Sequence, residues 1–215
     1  MYTLFYWPGT CSMAAHIVLE ECGADYETTP VALARGEQRG EEYRKVNPHG
    51  KVPALAVGDR IITQNVAILP YIASQFPDAN LLPGDPVKLA KCMQVAGWLT
   101  SAVHPTFSLV LHPERPGGGV DIGEAAMAAI GENARKTFWS NMQEIDARLA
   151  GRQWMMGDQY TILDPYALVF YGWGNRVKMN MADLPGFTAF KDRMLERPAV
   201  RTVLEREESP LLAAA

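Results

Sequence analysis

The sequence predicts an α/β domain over residues 1–78 followed by an all-helical domain over residues 87–215. Three observations carry this. Strand and helix periodicities run β-α-β, then α, then β-β-α before position 78. The stretch DANLLPGDP at 78–86 then breaks both periods with two prolines and a glycine, and marks a linker over 79–86. Beyond it only helical patterns survive.

Taken in order, YTLFY at 2–6 is aromatic and apolar and predicts a buried strand. Residues 11–22 place Ala14, Ile17 and Val18 on one helical face, leave Glu20 and Glu21 outside, and stop near Gly23. Residues 26–31 alternate enough for a second strand. Residues 36–45 are strongly polar and predict a solvated helix or loop, and NPHGK at 47–51 is turn chemistry. Residues 52–57 and 60–62, with Gly58-Asp59 at the bend, predict a hairpin. A helix over 64–76 carries apolar Val66, Ile68, Leu69 and Ile72, with Pro70 expected to kink it. In the second domain, long helices over 87–111 and 123–149 flank a loop at 112–121 that contains Gly117-Gly118-Gly119. Helices over 161–179, 187–196 and 199–207 follow. Thr161 and Asp164, three apart before an apolar run, form a start like a capping box.

Composition narrows the function. With 48% hydrophobic and 20% charged residues, the chain is ordinary for a globular protein. A net charge of −4 leaves no basic footprint, so no nucleic-acid partner is expected. No run of ~18 apolar residues offers a membrane span. The first residues lack the charged-then-apolar pattern of a secretory signal. Three cysteines (Cys11, Cys22, Cys92) at irregular spacing make neither a disulfide framework nor a metal knuckle. A reducing, cytoplasmic setting and no metal are expected.

The chemistry concentrates at Tyr6-Trp7-Pro8-Gly9-Thr10-Cys11-Ser12, between the first strand and the first helix. A cysteine there meets the free N–H groups and positive dipole end of a helix, which favour a thiolate. A cysteine is more commonly a small buried hydrophobe, and Cys22 and Cys92, inside helical patterns, are expected to be packing. Position +3 from Cys11 is Ala14, so no dithiol pair exists and monothiol exchange is the expected form.

The segments LFYWPGTCSMAAHIVLEE, VNPHGKVPAL, TQNVAILPYIA, GWLTSAVHPTF and GDQYTILDPYAL together resemble the glutathione S-transferase superfamily. The likeness is greatest to its bacterial beta-class and related members. It spans both halves. The resemblance implies a thioredoxin-like N-terminal domain, an all-α C-terminal domain and a homodimer with its site between the domains. Glutathione would be the co-substrate and a small apolar electrophile the second substrate.

On that resemblance Cys11 contacts the glutathione sulfur or forms a mixed disulfide with it. Ser12 and Tyr6 compete for the role of a hydroxyl that stabilises the thiolate; their ordinary readings are helix start and strand core. His104 faces the cleft, suited to donate to a thiolate or polarise a leaving group. Val52-Pro53 matches a cis-proline position, where Val52 pairs with the extended peptide. Gln64 and Asn65 meet the γ-glutamyl group, with Asn65 as N-cap. Arg35, His49 and Lys51 are candidate donors to the glycine carboxylate. Trp7, Phe107, Leu111, Tyr166, Phe170 and Trp173 would line the electrophile's side. His16 reads as structural.

Two features depart from the family pattern. Gln64 stands where relatives carry an acid, and no Asp or Glu occurs between Asp85 and Glu114 to meet the ligand's ammonium from the long helix. The expected activity is glutathione transfer. The alternatives are a glutathione-dependent reductase or lyase working through a Cys11 mixed disulfide, and a non-catalytic ligand-binding protein on the same fold.

Overall fold

Tyr2–Tyr6, the predicted buried strand, becomes the second strand of a four-stranded sheet in this computed structural model, which describes residues 1–213. Positions 214 and 215, the end of the expected second domain, lie outside the described residues. The strands are β1 (Tyr2–Tyr6), β2 (Tyr26–Pro30), β3 (Ala54–Val57) and β4 (Arg60–Thr63), in the order β2-β1-β3-β4. β1 runs parallel to β2 and antiparallel to β3, with Leu4 opposite Leu55. Gly58 takes φ +61 in the β3–β4 turn, a conformation in which a side chain is strained.

Leu4 and Leu55 are wholly buried against α1 (Ser12–Glu21) and α3 (Asn65–Gln75). On the other face the Phe5 ring meets Tyr43 of α2 (Glu41–Val46) at 5.9 Å. Helices thus cover both faces of a mixed, thioredoxin-like sheet. Ser12 through Leu19 are all buried, because α1 lies between this sheet and α7 (Leu163–Arg176) and α9 (Pro198–Arg206) of the helical half. Ala14 and Ala15 keep the approach close.

The start of α3 differs from expectation. Gln64, not Asn65, precedes the first turn, at φ +72, and its carbonyl accepts from the Ala67 and Ile68 N–H groups. Asn65 does not cap the helix; it is buried and its amide donates to the Cys11 carbonyl at 2.8 Å. Pro70 lies inside the helix.

The helix expected over 87–111 runs as α4 (Pro86–Trp98), a wider π turn (Leu99–Val103) and α5 (His104–Leu111). The cause is Pro105. It has no N–H to give to the Ser101 carbonyl, so an α-helical ladder would lose a bond there. The His104 N–H instead reaches back five residues to the Leu99 carbonyl.

α6 (Glu124–Leu149) is the second long helix, and α8 (Pro185–Glu196) precedes α9; prolines open both short final helices. α7 is shorter than the 161–179 expected, ending at Arg176. The Asp164 carboxylate accepts from the Met155 N–H (2.8 Å), the Thr161 N–H (2.7 Å) and the Thr161 hydroxyl (3.3 Å). Burial pushes its carboxyl up to about 7, against the pull of those donors.

Candidate active site

The turn between β1 and α1 is held by short side chains. Thr10 and Ser12 hydroxyls lie 2.7 Å apart; the Thr10 hydroxyl donates to the Trp7 carbonyl at 2.8 Å, and Ser12 Oγ accepts from the Trp7 N–H at 3.2 Å. Ser12 is fully buried. Gly9 at φ +68 makes the bend.

The helical half then clamps the same peptide. Trp173 Nε1 donates to the Gly9 carbonyl at 3.0 Å, and the Gly9 N–H donates to Glu207 Oε2 at 3.4 Å. Glu207 Oε1 lies 2.9 Å from His16 Nδ1, with both side chains buried. His16 is structural, as expected.

This places Cys11 at the position before α1, 8% exposed, with its thiol donating to the Val52 carbonyl at 3.5 Å. The expected thiolate is not what this environment favours. Burial pushes the thiol up to about 12; its own backbone N–H and the charge of Lys51 pull down and are outweighed. The Val52-Pro53 bond is cis, as the resemblance implied.

Across the cleft, His104 Nδ1 lies 3.3 Å from the Tyr166 hydroxyl, and the His104 ring meets Trp173 edge-on at 4.9 Å. Burial first, then the charges of Lys51 and Arg115, depress His104 to about 4, so it is neutral at physiological pH. Burial raises the Tyr166 hydroxyl, with the nearby Cys11 adding to the shift.

Of the sequence candidates, Cys11, Val52, Pro53, Asn65, Lys51, His104 and Tyr166 therefore converge. Others do not. The Tyr6 ring packs edge-on against His16 at 5.4 Å, on the sheet face under α1, and Ser12 is consumed by the turn. Arg35 and His49 are exposed, in the loops before and after α2, and Gln64 is exposed ahead of α3. The predicted apolar wall is mostly interior. Phe107 stacks on Trp173 at 4.1 Å, and Phe170 meets Trp173 and Tyr166 at 5.3 and 5.0 Å. Only Trp7, half-buried, and exposed Leu111 keep free apolar surface. Sequence reasoning missed Glu207, whose partners lie 191 and 198 residues away and leave no local signal. It also treated Tyr166 as apolar lining, whereas its hydroxyl meets His104. Among the described residues, no cluster of His, Cys, Asp and Glu could hold a metal ion, and no helix is long and apolar enough to cross a membrane.

Comparison with known proteins agrees with this layout. Residues 1–74 match the family described as glutathione S-transferase, N-terminal domain, and residues 122–198 match glutathione S-transferase, C-terminal domain. Glutathione S-transferase GstA of Escherichia coli O157:H7 is 32% identical over 95% of this chain and 98% of its own. Glutathione S-transferase GST-4.5 of Xanthomonas campestris pv. campestris is 33% identical over 95% and 98%. A glutathione transferase homologue from Sulfitobacter, solved with bound glutathione, superposes with a TM-score of 0.89 at 28% identity, over 96% of this chain and 98% of that one. This chain belongs to the glutathione S-transferase family.

Proposed function

We propose that this protein joins the sulfur of glutathione to a small electrophile with an apolar body, at the cleft between Cys11 and His104. The observation that carries the reading is the convergence of the Cys11 thiol, which donates to the Val52 carbonyl, with the Tyr166–His104 pair, Tyr166 lying close enough to Cys11 to feel its charge. The solved complexes of relatives with glutathione support it as the co-substrate.

In this reading the peptide extends along Val52 and Pro53. Lys51 faces its glycine carboxylate, while Asn65, at the start of α3, faces the γ-glutamyl end. A thiol that stays protonated acts as a hydrogen-bond donor, so Cys11 stabilises the glutathione thiolate rather than attacking in its place. That favours conjugation over the mixed-disulfide route. The glutathione sulfur forms the new bond to carbon, the leaving group departs with the electron pair, and the thiol proton passes to solvent. The Tyr166 hydroxyl, 3.3 Å from His104 Nδ1, orients the neutral imidazole, whose N–H serves the thiolate or leaving group. The functional division is a glutathione-binding domain over 1–78, a linker over 79–86 and an electrophile-binding domain over 87–215, acting as a cytoplasmic homodimer.

Conjugation of glutathione to a chlorodinitrobenzene tests the reading, alongside mass spectrometry after incubation with oxidised glutathione. Conjugation with little adduct on Cys11 is expected. A quantitative Cys11 adduct without conjugation would turn the assignment to thiol exchange.

A further inference from the structure

Arg115 has no part in the machinery above, yet it reaches the cleft. It follows α5, and its guanidinium turns back to donate to Ser108 Oγ. Ser108 stands four residues after His104 on α5, so the two share a face of that helix. Lys51 stands on the opposite side, directly before the residue whose carbonyl takes the Cys11 thiol. Both cations are exposed, and the fields of both reach His104.

Little on the α4–α5 side cancels this charge. No Asp or Glu occurs from 86 to 113; the next acid, Glu114, is exposed, has its carboxylate 3.1 Å from His112 Nδ1, and feels the Arg115 charge less than that of His112. The apolar wall is thin as well, since Phe107, Phe170 and Trp173 are spent on one another. An opening with two cations and little exposed hydrocarbon is poorly matched to a wholly apolar guest.

We propose that the electrophile carries a carboxylate, bound by the Arg115 guanidinium on the α5 side, with its reactive carbon directed toward Cys11 and His104. The inference rests on the transferase reading above and names the substrate class of that same site. Arginine suits the task because its planar fork meets both carboxylate oxygens at once. Lys51 remains for the ionised end of glutathione.

The test compares chlorodinitrobenzene with its ring-carboxylated counterpart, chlorodinitrobenzoate. In both, a sulfur–carbon bond forms and chloride leaves with the bonding pair. The wild-type ratio of kcat/KM, carboxylated over neutral, is expected to fall about ten-fold in Arg115→Gln, the scale of one charged hydrogen-bonding contact. Arg115→Lys, which keeps the charge without the fork, is expected to keep part of the ratio. The wild-type preference should also shrink as salt rises. Conjugation of both arenes with a ratio that Arg115→Gln leaves unchanged overturns the inference and leaves the transferase reading standing. Conjugation of neither arene by the wild type overturns the transferase reading, and the inference with it.

Discussion

Cys11 separates two influences that sequence patterns merge. A helix N-terminus draws a thiol toward ionisation, and that position could be seen in Pro8-Gly9 followed by an apolar helical period. Exclusion from water works the other way, and here it is the larger effect. Iodoacetamide at pH 7.5 should therefore alkylate Cys11 at least ten-fold more slowly than free glutathione, with labelling restored in denaturant; mass spectrometry of the intact chain reads both. His104 gives a second check. Its folded value near 4 lies below the ordinary histidine value of about 6.5, so the folded state resists the proton. The stabilisation from this group is complete above about pH 6.5 and is lost as pH falls through 4. Urea midpoints across that window should fall toward acid in the wild type and fall less in His104→Asn. Tyr166→Phe removes the partner of His104 Nδ1 without a change of shape; kcat for conjugation should fall by about three- to ten-fold while the KM for glutathione holds. The residue types at the cleft were visible in the sequence. Which face Tyr6 presents was not, since strand alternation leaves open which side of the sheet α1 covers.

Among the elements, the order of strands and helices follows from periodicity alone, and the mismatches have local causes. The π turn at Leu99–Val103 answers a proline that an apolar repeat cannot reveal. The start of α3 is set by the Gln64 backbone and by the pull of Asn65 toward Cys11, which propensity does not encode. Asp164 is the opposite case: a capping-type spacing with Thr161 foretold the local bonds, and the fold added a third donor, the Met155 N–H. Asp164→Ala strands two backbone N–H groups in the interior. A loss of about 2–4 kcal/mol is expected, read as a lower urea midpoint at unchanged slope.

For the whole molecule, the contacts that join the two halves have partners far apart in the chain. Arg197 makes two bonds to Glu21 at 2.6 and 2.8 Å, Arg206 reaches Glu20 at 2.7 Å, and the buried Glu207 joins His16 and Gly9. The Arg206–Glu20 pair, more exposed, contributes little; the buried Glu207 matters, because its removal leaves donors unpaired. Glu207→Ala should lower the thermal midpoint by about 5–12 °C for a chain of this size, measured by calorimetry, with Arg201→Ala on the exposed face of α9 as a near-neutral control.

The double grip on the Gly9 peptide has a consequence for recombination between relatives. The backbone that presents Cys11 is shaped by an indole from α7 and a carboxylate from beyond α9. A chimera that joined this first domain to foreign helices would inherit the cysteine but lose the mould that sets it. Exchange should succeed only where the incoming half brings equivalents of Trp173 and Glu207 together.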